Sequence, residues 1–155
     1  NLIKGIIPNK PNQIWCADIS YIKFQNRFWY VSTIEDICTR QILAIQISRH
    51  HNHQLILNTL KQAIFNAKGD YQQSFTAQGT EKYMAQAVIA YLESHEVNIS
   101  VSAKAAPWEN GYQESFFSRL KDEMGYLDRF ETWENLLKRF ISKLVITIIT
   151  GFIRH

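Results

Sequence analysis

The chain has 155 residues, 46% of them hydrophobic and 13% aromatic, which predicts one domain with an ample packed core. Its formal charge of +3, from 17 Lys and Arg against 14 Asp and Glu, is compatible with a polyanionic partner but does not demand one. Cys16 and Cys38 form no CxxC motif, so neither a disulfide framework nor a zinc site is expected.

Three strands are predicted after an extended entry segment at residues 1–13. Ile14 to Ile22 is largely apolar on both faces, which predicts a central strand of a sheet. Phe28 to Glu35 and Ile42 to Ile47 follow, the former rich in β-branched and aromatic residues. Because the links between the strands are short, we expect an antiparallel meander.

Helices and strands alternate in the rest of the chain. In chain order we first predict a helix ending near Gly69, a strand at Ser74–Ala77 and a helix from the turn at Gln78–Glu81 to about His95. A strand at Val97–Ser102, a helix from about Asn110 through Leu127 and a last helix at Trp133–Leu144 follow. Alternation after a meander predicts an α/β fold with a five-stranded mixed sheet flanked by helices.

Two polar clusters are interpreted as structural. Asp36 and Arg40 flank a predicted turn and suit turn and ion-pair roles rather than catalysis. The histidines at positions 50, 51 and 53 could suggest a metal, but no cysteine follows them. We therefore expect a polar loop and a helix start, with Asn52 as the cap.

Asp18 is the unusual residue of the first strand. A carboxylate in a mostly apolar central strand is costly unless it is paired or bound to a metal ion. Asp18 is therefore a candidate metal ligand. The alternative is that a neighbouring hydroxyl or basic residue satisfies it.

The segment from Pro107 to Phe117 places a second carboxylate, Glu114, just inside the start of a predicted helix capped by Asn110. Glu114, Ser118 and Lys121 share one polar face, because their spacing is i, i+4 and i+7. A fixed carboxylate beside a lysine suits a metal and phosphate site. An ordinary solvated helix face is the alternative interpretation.

Three motifs, in this order, resemble the retroviral-integrase-like catalytic core of insertion-sequence transposases of the IS3 group. They are Trp15-x-x-Asp18-Ile19-Ser20-Tyr21-Ile22, then Gly79-Thr80-Glu81-x-Tyr83, then Pro107-Trp108-Glu109-Asn110-Gly111-Tyr112-Gln113-Glu114-Ser115-Phe116-Phe117. The resemblance covers roughly residues 8–140 and implies a ribonuclease-H-like fold, which agrees with the predicted order of elements.

The resemblance implies an Asp-Asp-Glu site that holds two divalent ions, Mg²⁺ or Mn²⁺, for DNA cleavage and strand transfer by phosphoryl transfer. Matched by motif, Asp18 is the first acid and Glu114 the third, and both are implied catalytic residues and metal ligands. Lys121 is an implied DNA phosphate contact, and Trp108 and Asn110 shape a loop beside the site that faces DNA.

The family also implies partners and a location. The partners are DNA, as transposon ends and target, and further copies of the chain in a homo-multimer. The implied location is the bacterial cytoplasm, in association with the nucleoid, and no membrane is involved. No signal peptide is predicted, because residues 1–13 contain no long apolar stretch before a cleavage site.

The chain departs from the family pattern at the second acid. Phe75-Thr76-Ala77-Gln78-Gly79 stands where the family usually has His-Ser-Asp-x-Gly, so Ala77 occupies the acidic position. Alanine has no oxygen to bridge two cations, and Asp70 and Glu81 are the nearby acids that would have to substitute. We therefore predict that the site is catalytically weak or dead, which leaves the chain's status as an enzyme open.

The C-terminal residues 141–155 depart from the family as well. Leu144 to Thr150 reads LVITIIT, a β-branched run with poor intrinsic helix propensity, where the family has a Tyr- and Asn-rich helix. A frameshift near residue 141 is one explanation, and an ordinary core helix or strand is the other. We accordingly divide the chain into an entry segment at 1–13, a catalytic core at 14–140 and an aberrant tail at 141–155.

Three functions stay open at this point. The first is the core of a DNA strand-transfer enzyme, impaired by Ala77. The second is a non-catalytic DNA-binding or assembly module of a decayed transposase, and the third is a ribonuclease-H-like nuclease. Metal-dependent nicking separates the first from the second, as does salt-dependent DNA binding without cleavage.

Overall fold

The computed structural model describes residues 7–69, 74–78, 85–102, 117–122 and 124–153. The strands are β1 (Ile14–Phe24), β2 (Arg27–Asp36), β3 (Ile42–Ser48), β4 (Ser74–Gln78) and β5 (Asn98–Ser102). The helices are α1 (His53–Asn66), α2 (Gln86–Ser94) and α3 (Trp133–Ile153), and Leu127–Arg129 form a short 3₁₀ helix. Residues 117–122 are also helical. They are called the 117–122 helix below.

The strands form one mixed sheet in the order β3-β2-β1-β4-β5. β1, β2 and β3 pair antiparallel, whereas β4 runs parallel to β1 and β5 runs parallel to β4. The predicted antiparallel meander is confirmed, and so is the central position of the first strand. A central position explains why β1 is apolar on both faces, since elements pack on each side of it.

A tight turn sets the register of β1 against β2. Gln25 and Asn26 both adopt positive φ, at 47° and 59°, and Phe24 pairs directly with Arg27. Two consecutive residues at positive φ characterise the type I′ turn, whose twist matches that of the flanking strands. The same register places Asp18 opposite Thr33.

Helices cover both faces of the sheet. α1 and α2 pack on one face, in a buried cluster that contains Trp15, Ala17, Ile34, Ala44, Ile56, Leu60, Ala63, Val88 and Leu92. The 117–122 helix, Met124 and α3 pack on the other face, in a cluster that contains Ile22, Phe24, Val31, Phe117, Leu120, Met124, Leu136 and Phe140. The sheet is therefore the middle of three layers, as the alternating pattern predicts.

The start of α1 confirms the predicted cap. The Asn52 side chain accepts a hydrogen bond from the backbone N–H of Leu55, with 3.2 Å between donor and acceptor. The helix ends at Asn66, and Lys68 and Gly69 then adopt positive φ. Such residues commonly terminate helices, because left-handed backbone cannot continue the helix.

Helix boundaries elsewhere differ from the prediction. The expected continuation of the 117–122 helix through Leu127 is wrong, because Gly125 adopts a φ of +61° and Leu127 belongs to the separate 3₁₀ helix. The backbone N–H of Gly125 donates to the carbonyl of Lys121 as the helix closes. α2 begins at Gln86, later than the predicted start near Glu81.

The last helix is longer than predicted. α3 continues from Trp133 to Ile153, so the expected end at Leu144 is wrong. β-branched residues cost only fractions of a kcal/mol each in a helix, and such weak preferences are readily overridden. Among the described helices, none is both long enough and apolar enough to cross a membrane. The frameshift hypothesis for residues 141–155 stays a prediction.

Candidate functional site

Asp18 lies on the central strand β1 and is half-buried. It stands directly opposite Thr33 of β2, so the two side chains project from the same face of the sheet. Thr33 is fully buried, and its Oγ1 makes no hydrogen bond among the described residues. The Asp18 carboxylate is therefore held at the edge of the core on a rigid strand, beside a second oxygen.

The position of the predicted second acid lies next to Asp18 in the sheet. β4 runs parallel to β1 with Ala77 in register with Ala17, one residue before Asp18. Neighbouring strands are about 4.8 Å apart, so the backbone at position 77 lies close to that of Asp18, although its register partner is Ala17. Alanine offers this region no ligand oxygen.

The other residues predicted for the acidic site belong to the second and third motifs. Trp108, Asn110 and Glu114 lie outside the described residues, as do residues 79–83 of the second motif. In the parts of the chain that are described, no three His, Cys, Asp or Glu side chains are grouped to hold a metal ion. The three-carboxylate arrangement therefore stays a prediction.

Lys121 lies on the exposed side of the 117–122 helix, as predicted. Phe117 and Leu120 of this helix are buried against the sheet, which leaves Ser118 and Lys121 facing solvent. The Lys121 Nζ is 5.4 Å from the centre of the Tyr21 ring, within the range of a cation–π interaction. The contact brings a cation from this helix to the strand that carries Asp18.

A cavity of about 260 Å³ separates the end of β1 from the 117–122 helix. Its lining includes Ser20, Tyr21, Lys23, Leu120, Lys121 and Met124. Two lysines and a tyrosine are therefore part of a largely apolar wall. Ser20 is two residues along β1 from Asp18, so the cavity adjoins the predicted acidic region.

Glu35 is a buried carboxylate whose role the sequence did not reveal. Its side chain lies near the end of β2, is 4% exposed, and has Oε1 3.9 Å from Nη1 of Arg40. Burial raises the pKa of Glu35 from 4.5 to about 7, Arg40 opposes that rise and Asp36 adds to it. Strand alternation places Glu35 on the face of Thr33 and Asp18. The sequence does contain a signal for this position: Thr33 and Glu35 are two residues apart in a predicted strand, so they share one face of it.

Asp36 has the structural role predicted for it. Its carboxylate accepts hydrogen bonds from the backbone N–H groups of Cys38 and Thr39 and from the Thr39 hydroxyl, the last at 2.6 Å. Arg40, which adopts a positive φ of 63°, pairs with Glu35. Both residues therefore stabilise the β2–β3 turn.

Comparison with protein families identifies the core of this chain. A family profile described as "Integrase core domain" matches residues 8–107. A transposase-like protein of Haemophilus influenzae, described as uncharacterized, is 34% identical over 140 residues, which cover 88% of this chain and 63% of that protein. Transposase InsF for insertion sequence IS3fB of Escherichia coli is 28% identical over 120 residues, which cover 77% of this chain and 42% of that protein. The chain thus spans about half the length of these curated relatives.

Solved structures with the same fold are retroviral integrases. The integrase catalytic core domain of HTLV-2, solved in complex with magnesium, matches with a TM-score of 0.65 at 14% identity, covering 84% of this chain and 82% of that one. A chain of the simian T-cell lymphotropic virus intasome matches with a TM-score of 0.69 at 17% identity, covering 84% of this chain and 47% of that one. At such low identity these likenesses establish the fold alone, which is that of an integrase catalytic core.

Proposed function

Because this chain belongs to the integrase core domain family, we propose that it is the catalytic-core region of a bacterial insertion-sequence transposase with an impaired acidic site. The observation that carries the proposal is the register of β4 against β1. It pairs position 77 with Ala17, the residue before Asp18, and the motif match assigns the family's second acid to position 77, where this chain has alanine. The fold and the family therefore support DNA strand transfer as the reaction. The missing carboxylate supports a low rate of that reaction.

The set of side chains that could bind a metal ion is incomplete. Divalent magnesium prefers carboxylate and phosphate oxygens, and Asp18 supplies one such group on β1. The HTLV-2 neighbour was solved with magnesium. Here position 77 contributes no oxygen, so the described residues do not fit a pair of bridged ions. In this proposal Asp18 and Glu114 are the two remaining residues that would hold a metal ion.

The other residues of the site bind and position DNA in this proposal. Lys121 is exposed beside β1, where its ammonium group can pair with a phosphate. Trp108 and Asn110 shape the loop that precedes Glu114. These roles need no metal, so DNA binding should survive the loss of the second acid.

The proposed partners are DNA ends, target DNA and further copies of the chain. The fold neighbours include an intasome and integrase core domains in dimeric and trimeric forms. We extend both kinds of assembly to this chain as part of the proposal, and place its activity at the bacterial nucleoid.

Restoring the missing acid tests the proposal. Ala77→Asp should raise metal-dependent nicking and strand transfer on DNA ends by well over 10–100-fold, because losing a residue that only supports a ligand already costs about that much. Both forms are assayed with Mg²⁺ and with Mn²⁺ at matched protein concentration.

Two further measurements make the test decisive. Adding Asp18→Asn to the Ala77→Asp protein should abolish the gained activity, which excludes a contaminating nuclease. Strong strand transfer by the unaltered chain would contradict the proposed impairment. An inactive Ala77→Asp protein that still folds and binds DNA would contradict the proposal that position 77 is the missing acid.

A further inference from the structure

Two exposed aromatic rings lie together near the tip of the β1–β2 hairpin. Tyr21 is 55% exposed and Phe28 is 46% exposed, and their ring centres are 5.4 Å apart at an interplanar angle of 78°. The strand register pairs Tyr21 with Tyr30 and Lys23 with Phe28, so all four side chains share one face of the hairpin. Tyr21, Lys23, Phe28 and Lys121 are called the hairpin platform below.

The platform is exposed because α1 and α2 cover only the other end of this sheet face. Ala17 and Ile34 are buried under these helices, whereas Tyr21 and Lys23, further along β1, are exposed. Tyr30 marks the border, where its ring stacks on His51 with 4.9 Å between centres. Aromatic surface therefore continues from the covered part of the face to the hairpin tip.

The charged side chains of the hairpin tip itself are positive. Residues 21–30 contain Lys23 and Arg27 and no Asp or Glu. Lys121 adds a third cation, because its Nζ lies 5.4 Å from the centre of the Tyr21 ring. Lys121 belongs to the helix on the opposite face of the sheet. Its side chain can pass the edge of β1 at Tyr21, because the described pairing of β4 with β1 ends at Ala17.

Exposed aromatic rings among cations that form no ion pair with the described residues fit one class of partner best. An apolar protein surface would bury the lysines without counter-charges, which costs several kcal/mol per group. A nucleic acid strand supplies both complements, since its phosphates pair with lysines and its bases stack on aromatic rings. Stacking requires a base freed from its own duplex, so the occupant is a stretch of unpaired nucleotides.

We propose that the hairpin platform binds unpaired nucleotides of DNA, with a base stacked on Tyr21 and Phe28 and phosphates held by Lys23 and Lys121. The choice of DNA rests on the proposed function, whereas the stacking and charge do not. Tyr21 is three residues along β1 from Asp18, about 10 Å at the rise of a strand. Because Tyr21 and Asp18 project from opposite faces of the sheet, the bound nucleotides are not the reacting ones.

Fluorescence anisotropy with a labelled single-stranded oligothymidine and a labelled duplex, without divalent metal, tests the proposal. The protein with Tyr21→Ala and Phe28→Ala should lose about tenfold or more in affinity for the single strand, since stacking contributes about 1–3 kcal/mol per base. Its affinity for the duplex should fall much less. Phe65→Ala, at an 81% exposed ring on α1, is the matched control and should leave both affinities unchanged.

Further variants separate the contributions. Tyr21→Phe keeps the ring and should bind as the unaltered chain does, which assigns the effect to the ring rather than to the hydroxyl group. Lys23→Gln with Lys121→Gln should reduce the slope of log affinity against log salt by about 1.4, or 0.7 per lost phosphate contact on a single strand. Single-strand affinity of the double alanine variant equal to that of Phe65→Ala, or an equal loss for duplex, would overturn the proposal.

Failure of this proposal and failure of the proposed function are distinguishable. The binding assay involves no metal and no cleavage, so it reads the platform whatever the state of position 77. An inactive Ala77→Asp protein with platform-dependent binding would overturn only the proposed catalytic site. An active one whose binding ignores Tyr21 and Phe28 would overturn only the platform.

Discussion

Asp18 and Glu35 are two carboxylates on one sheet face with different surroundings. Asp18 is half-buried on β1, whereas Glu35 is 4% exposed near the end of β2. Burial disfavours the charged form of Glu35, and the Arg40 guanidinium at 3.9 Å compensates only in part. Both residues are acidic, so residue type does not distinguish their roles. The extent of burial does.

The raised pKa of Glu35 predicts a pH-dependent stability. The unfolded chain releases this proton near pH 4.5 and the folded chain near 7, so the folded protein loses stability as the pH rises between these values. The full loss is about 3 kcal/mol, at 1.36 kcal/mol per pKa unit. Glu35→Gln should remove most of that loss, as measured by urea unfolding at pH 4.5 and pH 8.

The control for this prediction is Glu93→Gln, at an exposed carboxylate on α2. It should keep the pH dependence of the unaltered chain. If stability falls equally steeply with rising pH in Glu35→Gln and in Glu93→Gln, titratable groups other than Glu35 cause the pH dependence.

At the scale of the elements, local signals set a helix boundary where a side-chain cap or a left-handed residue marks it. Asn52 begins α1 as predicted, because a side-chain cap acts on a backbone N–H within three residues. α3 instead extends to Ile153 through a run that propensity disfavours. Gly125 ends the preceding helical stretch by its positive φ, which a glycine adopts without steric cost.

The cap of α1 makes a testable contribution to stability. Asn52→Ala removes the acceptor for the Leu55 N–H and should lower the free energy of unfolding by about 1 kcal/mol. Asn52→Ser, which retains a capping oxygen, should restore most of it. Asn58→Ala, at an exposed site within the same helix, should change stability by less than about 0.5 kcal/mol in chemical denaturation. Equal losses for Asn52→Ala and Asn58→Ala would contradict a special role of the cap.

At the scale of the whole molecule, two large cores stabilise the sheet in the described part of the chain, besides a small cluster of Ile14, Cys16 and Ile37. One lies under α1 and α2, and the other under the 117–122 helix, Met124 and α3. The second core carries Phe140, which is fully buried. It also carries Trp29 and Trp133, whose rings stack at 3.5 Å. α3 is therefore an integral layer of the fold and packs through Leu136 and Phe140 in the same core as Ile22 of β1.

Truncating α3's buried side chain tests that role. Phe140→Ala should destabilise the protein by about 3–5 kcal/mol, because it removes a large side chain and leaves a cavity. Ile141→Ala, next along the helix and 51% exposed, should cost far less. Thermal and urea unfolding of both variants measure the difference, and similar losses would place α3 outside the cooperative core.

Much of the fold and the family could be predicted from the sequence, since both depend on local patterns. Periodicity of two and of 3.6 residues predicted the meander, the alternation that follows it and the central β1. Motif order indicated the integrase core, which the family match at residues 8–107 bears out. The absence of an acid at Ala77 is likewise a property of the sequence.

Only the tertiary structure decided which groups surround the candidate site. The register that places Thr33 opposite Asp18 and Ala77 opposite Ala17, the burial of Glu35 and the reach of Lys121 to Tyr21 join residues far apart in the chain. Local periodicity assigns a residue to a face of its strand, but says nothing about which distant side chain packs there. That choice is made by the packing of the whole core, because shape, burial and register must be satisfied together.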